Sequence, residues 1–197
     1  MIVRGTLVAA LVVSGAIAVA TPPSTAAATL CQGHPATVEG STGTLTGTDG
    51  NDVIAATGPD VSVVAGAGDD LVCVIGGSVT TGPGNDSVVS TAAAGTLTYA
   101  HLFGGADSYL GGAGRSSVTV DEVSSVQVTL GSGGGTTELF PTSTTGTGSI
   151  DFGAGPGYLY AFGDEESRVD LAAQTVSVDG RLSITTTGLH SATATGC

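Results

Sequence analysis

Three segments of the chain follow one plan. Gly47-Thr48-Asp49-Gly50-Asn51-Asp52 runs into Val53-Ile54-Ala55. Ala65-Gly66-Ala67-Gly68-Asp69-Asp70 runs into Leu71-Val72-Cys73, and Thr81-Gly82-Pro83-Gly84-Asn85-Asp86 into Ser87-Val88-Val89. Each is a Gly-rich turn closed by Asp and followed by a short apolar strand. A unit this short cannot bury a hydrophobic face alone. Copies must stack so that each covers its neighbour, which makes a quasi-one-dimensional array. Weaker copies carry the plan on. Gly58-Pro59-Asp60 lies between the first two, and Gly104-Gly105-Ala106-Asp107 follows the third. The runs Gly111–Ser116 and Gly131–Thr136 put Ser and Thr in the Asp position, and Gly153–Gly157 has no acid. The β-branched runs Val61–Val64, Val118–Val120, Val126–Leu130, Thr175–Val178 and Leu182–Thr187 supply further strands, and Asp179-Gly180 signals a hairpin turn. The spacing therefore predicts an all-β chain, with no helical apolar stripe beyond the first twenty residues.

Charge narrows the function classes. The chain holds 17 acidic and 4 basic residues among 197, a formal charge of −13. Four Arg cannot line a phosphate backbone, so no nucleic-acid partner is expected. Arg4 precedes an apolar run from Leu7 to Ala20, and Ala18-Val19-Ala20 has the small-x-small form of a cleavage site, with Ala26-Ala27-Ala28 a second candidate. This reads as a secretory signal peptide, so the chain is expected outside the cell with no membrane span after signal removal. Export allows disulfides among Cys31, Cys73 and Cys197, of which one stays over.

The repeated plan resembles the hemolysin-type calcium-binding nonapeptide, G-G-x-G-x-D-x-U-x, of the repeats-in-toxin family. The matching residues are Gly50, Asp52 and Ile54; Gly68, Asp70 and Val72; Gly84, Asp86 and Val88. The resemblance implies a right-handed parallel β-roll or β-solenoid stabilised by Ca2+ outside the cell. One departure is the N-terminal signal, where many family members carry a C-terminal one. The expected division is residues 1–28 as signal peptide and lead-in, 29–117 as calcium-binding β-roll, and 118–197 as degenerate β-solenoid continuation and C-terminal cap.

Two nonapeptides make one coil of about eighteen residues. Asp52, Asp70 and Asp86 are spaced close to that, so they should stack on one edge. Asp60 falls on the other edge, where Ser78, one such coil on, is uncharged. Stacked carboxylates 4 Å apart repel by ~1 kcal/mol in water and ~4 kcal/mol at an effective dielectric of 20. A divalent cation between coils reverses the sign. Calcium suits such a site because it takes six to eight oxygens in flexible geometry, whereas magnesium prefers a tighter octahedron and zinc wants His or Cys. His34, His101 and His190 are scattered. The metal-site candidates are thus Asp52, Asp70 and Asp86 with the turn glycines Gly50, Gly68 and Gly84, then Asp60 and Asp107. In the nonapeptide, position eight (Val72) points inward, so position nine (Cys73) points outward. Cys31 begins the mature fold and can lie over the first coils, so a Cys31–Cys73 bridge is expected.

No enzyme is expected. The sequence has no Gly-x-Ser-x-Gly elbow and no His-Glu-x-x-His, and Glu165-Glu166 sits in a polar turn. The reading is a secreted calcium-stabilised structural or interaction module. The alternative is a surface adhesion or carbohydrate-binding β-solenoid in which calcium is incidental, because Tyr158, Tyr160 and Phe162 share one strand face. Outward, that face is a platform for a glycan or protein partner; inward, it is core.

Overall fold

The computed structural model describes residues 28–140, 145–163, 168–170, 172–178 and 180–195. Residues 1–27, which include the expected signal peptide, lie outside the described residues, as do Asp164, Glu165, Glu166, Asp179 and Cys197. Those described form strands and turns and no helix. The chain is a β-solenoid of parallel strands, one continuous sheet folded into two faces.

A hairpin leads in, with β1 (Leu30–Cys31) antiparallel to β2 (His34–Pro35). Then β3 (Val38–Gly40), β4 (Thr44–Thr46), β5 (Val53–Ala56), β6 (Ser62–Val64), β7 (Leu71–Val74), β8 (Gly77–Thr80) and β9 (Ser87–Ser90) alternate between the faces. Odd strands stack on the first face and even strands on the second. The long strands β10 (Leu97–Leu110) and β11 (Arg115–Thr129) each start on the second face, bend round the edge and continue on the first. Their register breaks at Gly105/Ala106. The alternation resumes with β12 (Gly135–Leu139), β13 (Gly146–Asp151) and β14 (Gly157–Phe162). An antiparallel pair, β15 (Arg168–Asp170) and β16 (Thr175–Val178), folds onto β17 (Leu182–Thr187), which stacks on β13. Finally β18 (Ser191–Thr195) stacks on β14.

Alternation along each strand separates core from surface. On the first face Ile54, Val72, Val88, Tyr109, Val128 and Ile150 are successive register partners pointing inward, and all are buried. On the second face Val63, Val79, Ala100, Val118, Thr137 and Leu159 do the same. Each rung thus covers the apolar face of the next, as a short repeat requires.

Three features depart from a uniform coil of eighteen residues. Coil length grows along the chain: partners such as Val53↔Leu71 and Leu71↔Ser87 give way to Ser87↔Ser108 and Gln127↔Ser149. The later glycine runs change edge. Gly111–Gly114 joins the end of β10 to β11, whereas the Asp-bearing turns join the second face to the first. The division after residue 117 falls inside β11, which stacks on both sides of it.

Cys31 is bonded to Cys73, with Cα atoms 5.5 Å apart. Cys73 is an outward position of β7, and the lead-in hairpin lies across β5 and β7. The bridge ties residues 42 apart in sequence, worth about 4 kcal/mol in the loop-closure entropy of the unfolded chain. Replacing both cysteines by Ala is expected to lower the unfolding free energy by roughly 2–4 kcal/mol in a urea titration. An unchanged midpoint would show that the hairpin adds nothing to the stack.

Candidate functional site

The edge that carries the chain from the second face to the first is where the acidic residues gather. Asp52, Asp70, Asp86 and Asp107 occupy one inward column, each standing one residue before the register-paired Val53, Leu71, Ser87 and Ser108. All four are nearly buried, at 7%, 3%, 2% and 3% exposure. They are linked rung to rung. The Asp52 N–H donates to Asp70 Oδ1 (2.8 Å), the Asp70 N–H to Asp86 Oδ1 (2.8 Å), and the Asp86 N–H to Asp107 Oδ1 (2.9 Å). A second ladder runs outside it. Asn51 Oδ1 accepts from the Asp69 N–H, Asp69 Oδ1 from the N–H and Nδ2 of Asn85, and Asn85 Oδ1 from the Ala106 N–H.

The column has two different ends. At the first, Asp52 is fully satisfied. Its Oδ1 accepts the Thr37 hydroxyl at 2.7 Å, and its Oδ2 accepts both the N–H (2.7 Å) and the hydroxyl (2.8 Å) of Thr48. At the other end, the register partner after Asp107 is Val126, followed by Gly148 and Ile184. Hydrocarbon and glycine occupy the column from there on.

Between those ends the second carboxylate oxygens are orphaned. Asp70 Oδ2, Asp86 Oδ2 and Asp107 Oδ2 are buried with no hydrogen-bond partner. The reason lies in the turns. Gly66 stacks so closely on Thr48 that a Cβ there would meet Thr48 O at 1.9 Å, and Gly82 stacks likewise on Gly66. Neither glycine offers the hydroxyl that Thr48 gives Asp52. A buried carboxylate oxygen without a partner carries its full desolvation penalty.

The acidities follow. Hydrogen bonds from the Thr37 hydroxyl, then from the Thr48 N–H and hydroxyl, hold Asp52 below the usual carboxylate range. Burial pushes Asp70 up. Burial, with the Asp70 charge next to it, raises Asp86 to about 6. Burial and the Asp86 charge raise Asp107 to about 7.

The donor set is all oxygen: three orphaned carboxylate atoms in file and the carbonyls of the flanking turns. That is the chemistry of a hard cation, not of zinc. Among the described residues, no three His, Cys, Asp or Glu side chains converge on one point. Turn carbonyls must therefore supply most ligands of any ion here. Several of them already accept one inter-coil N–H each, Thr48 O from Ala67, Thr81 O from Gly66 and Pro83 O from Gly68. A carbonyl has two lone pairs, so each keeps one.

The other candidates fall outside this column. Asp60 is exposed at the opposite edge. Ser78 is not stacked with it; Ser78 pairs with Ser62 and accepts its place on β8 through a coil of sixteen residues rather than eighteen. Gly50, Gly68 and Gly84 stack in the turns beside the column: a Cβ on Gly68 would meet Gly50 C at 2.8 Å, and one on Gly84 would meet Gly68 O at 1.9 Å. Asp107, a weaker copy in sequence, is a full rung. The motif does not single out Thr37 or Thr48 as site residues, although Thr48 stands where the nonapeptide has its second glycine.

In comparisons with known proteins, no family model, no curated protein and no solved structure matches the chain.

Proposed function

We propose that the protein is a secreted calcium-binding β-solenoid, a structural or interaction module whose stack is completed by Ca2+ at the aspartate column. The carrying observation is the file of orphaned, buried carboxylate oxygens on Asp70, Asp86 and Asp107. These three would hold the ion, with the turn carbonyls as further ligands. When bound, it supplies positive charge where the fold has paired like charges in a dry place. Asp52 is the closed end of the column, since the hydroxyls of Thr37 and Thr48 already satisfy it. The resemblance of the turns to the repeats-in-toxin nonapeptide supports the same cation. No catalytic role is proposed.

A metal-free reading has an observation of its own. The turns bond directly to each other through the Gly66, Ala67 and Gly68 N–H groups, so protons could neutralise the column instead. Thermal melts followed by circular dichroism separate the two. Millimolar calcium should raise the melting temperature at pH 7.5 and magnesium should do much less, since extracellular calcium modules bind at ~10⁻⁴–10⁻³ M. At a hundred times the dissociation constant one site adds ~2.7 kcal/mol. Superimposed curves in calcium, magnesium and chelator would leave the metal-free reading standing.

A further inference from the structure

The outward side of the second face carries a different chemistry from the aspartate column. Tyr99 is 55% exposed, and Tyr158 and Tyr160 are each 38% exposed. They are three of the four tyrosines in a chain with no Trp. Register places them on a grid. Tyr99 pairs with Ser117, Ser117 with Thr136, and Thr136 with Tyr158. Two aromatic rungs therefore flank two hydroxyl rungs, about 14 Å from first to last at the spacing of paired strands. In the adjoining column His101, Thr119, Glu138 and Tyr160 follow in order. A groove of about 320 Å³ opens beside Tyr99, lined by Leu97, Arg115, Ser117 and Thr136 among others. No hydrogen bond or ion pair among the described residues engages the side chains of Arg115, Ser117, Thr136 or Glu138.

The geometry points to a binding site for a neutral polysaccharide strand lying along the solenoid axis. Sugars present C–H faces and hydroxyl edges in turn. Tyrosine rings suit the first, and free hydroxyls, a carboxylate and a guanidinium suit the second. A protein partner is a poorer match, because a specific interface needs a contiguous apolar centre and here two hydroxyl rungs separate Tyr99 from Tyr158. An acidic polymer is opposed by a chain of formal charge −13. The site faces outward while the aspartates face inward, so it stands whether or not the column holds calcium.

Affinity gel electrophoresis tests it directly. The parent, Tyr99→Ala, Tyr158→Ala and Leu110→Ala are run natively in calcium buffer through gels containing a β-glucan, a xylan, a mannan or alginate. Leu110 is 49% exposed on the first face and serves as the control. At least one neutral polymer should retard the parent and Leu110→Ala equally, and each Tyr variant should lose about tenfold or more in apparent affinity. Alginate should retard none of them. Free passage of the parent through all three neutral gels would overturn the proposal. So would full retardation of both Tyr variants, or retardation by alginate equal to that by the neutral polymers. Melting curves of the same samples report the aspartate column separately, so a failure here is distinct from a failure of the calcium reading.

Discussion

With calcium chelated, the protein is expected to melt highest near pH 4–5, to lose stability as the pH climbs from there to about 7, and to level off above that. Asp86 and Asp107 are raised to about 6 and about 7 by burial beside neighbouring carboxylates, and Asp70 is raised as well. A carboxyl whose folded acidity is weakened contributes stability that is fully present below its unfolded pKa, and that stability disappears as the pH climbs through the folded value. Every tenfold change in such a dissociation constant is about 1.4 kcal/mol, so two such groups make this one of the largest effects on the fold. Asp52 runs the other way. Its pKa is lowered, so its contribution is present at neutral pH and lost as the pH falls below the ordinary carboxylate range. The two trends together place the metal-free optimum between them. Melting temperatures from pH 3 to 8 in chelator check this. A metal-free protein most stable at pH 7 would mean the column is not the buried acidic file described above.

Gly84→Ala is expected to cost about 4 kcal/mol or more, enough to prevent folding in part of the population. A Cβ at Gly84 would lie 1.9 Å from Gly68 O and 2.6 Å from Gly68 C, and the residue sits at φ +149. Both obstacles are backbone, so no side chain can swing away. The turns would have to part, which pulls on the bond from the Asp70 N–H to Asp86 Oδ1. Gly95 is the control. It sits at φ +90 with nothing within 4 Å of its Cβ, so Gly95→Ala bears only backbone strain, about 1–3 kcal/mol. Urea unfolding of both variants measures the difference, and equal costs would show that the turns are not stacked as tightly as described.

The first coils were legible because their spacing is nearly constant. Asp52, Asp70 and Asp86 lie 18 and 16 residues apart, which puts them in one column once strands pair in parallel. Inward Val72 and outward Cys73 follow from the two-residue period of a strand, and so does the position of the bridge to Cys31. Beyond Asp86 the period breaks. Asp107 comes 21 residues later, and a fixed coil length does not carry to it. The longer coils also let glycine runs such as Gly111–Gly114 cross to the opposite edge, where they look like acid-free copies of the same turn. The end of the column at Val126 and the closing hydroxyls of Thr37 and Thr48 depend on which residues face each other across rungs. That register is a property of the whole stack and not of any one repeat. The outward tyrosines were readable as one strand face in Tyr158 and Tyr160, but Tyr99 joins them only through the pairing of four strands.

Calcium binding to the parent, Asp86→Asn and Asp60→Asn, measured by isothermal titration calorimetry at pH 7.5 on samples shown to be folded by circular dichroism, tests the central claim most directly. Asp86 is an interior rung with an orphaned oxygen, between Asp70 and Asp107. Asp60 is exposed on the far edge. The parent and Asp60→Asn should bind calcium alike, and Asp86→Asn should lose most of the binding. A parent that binds no calcium, or an Asp60→Asn variant that loses as much as Asp86→Asn, would contradict it.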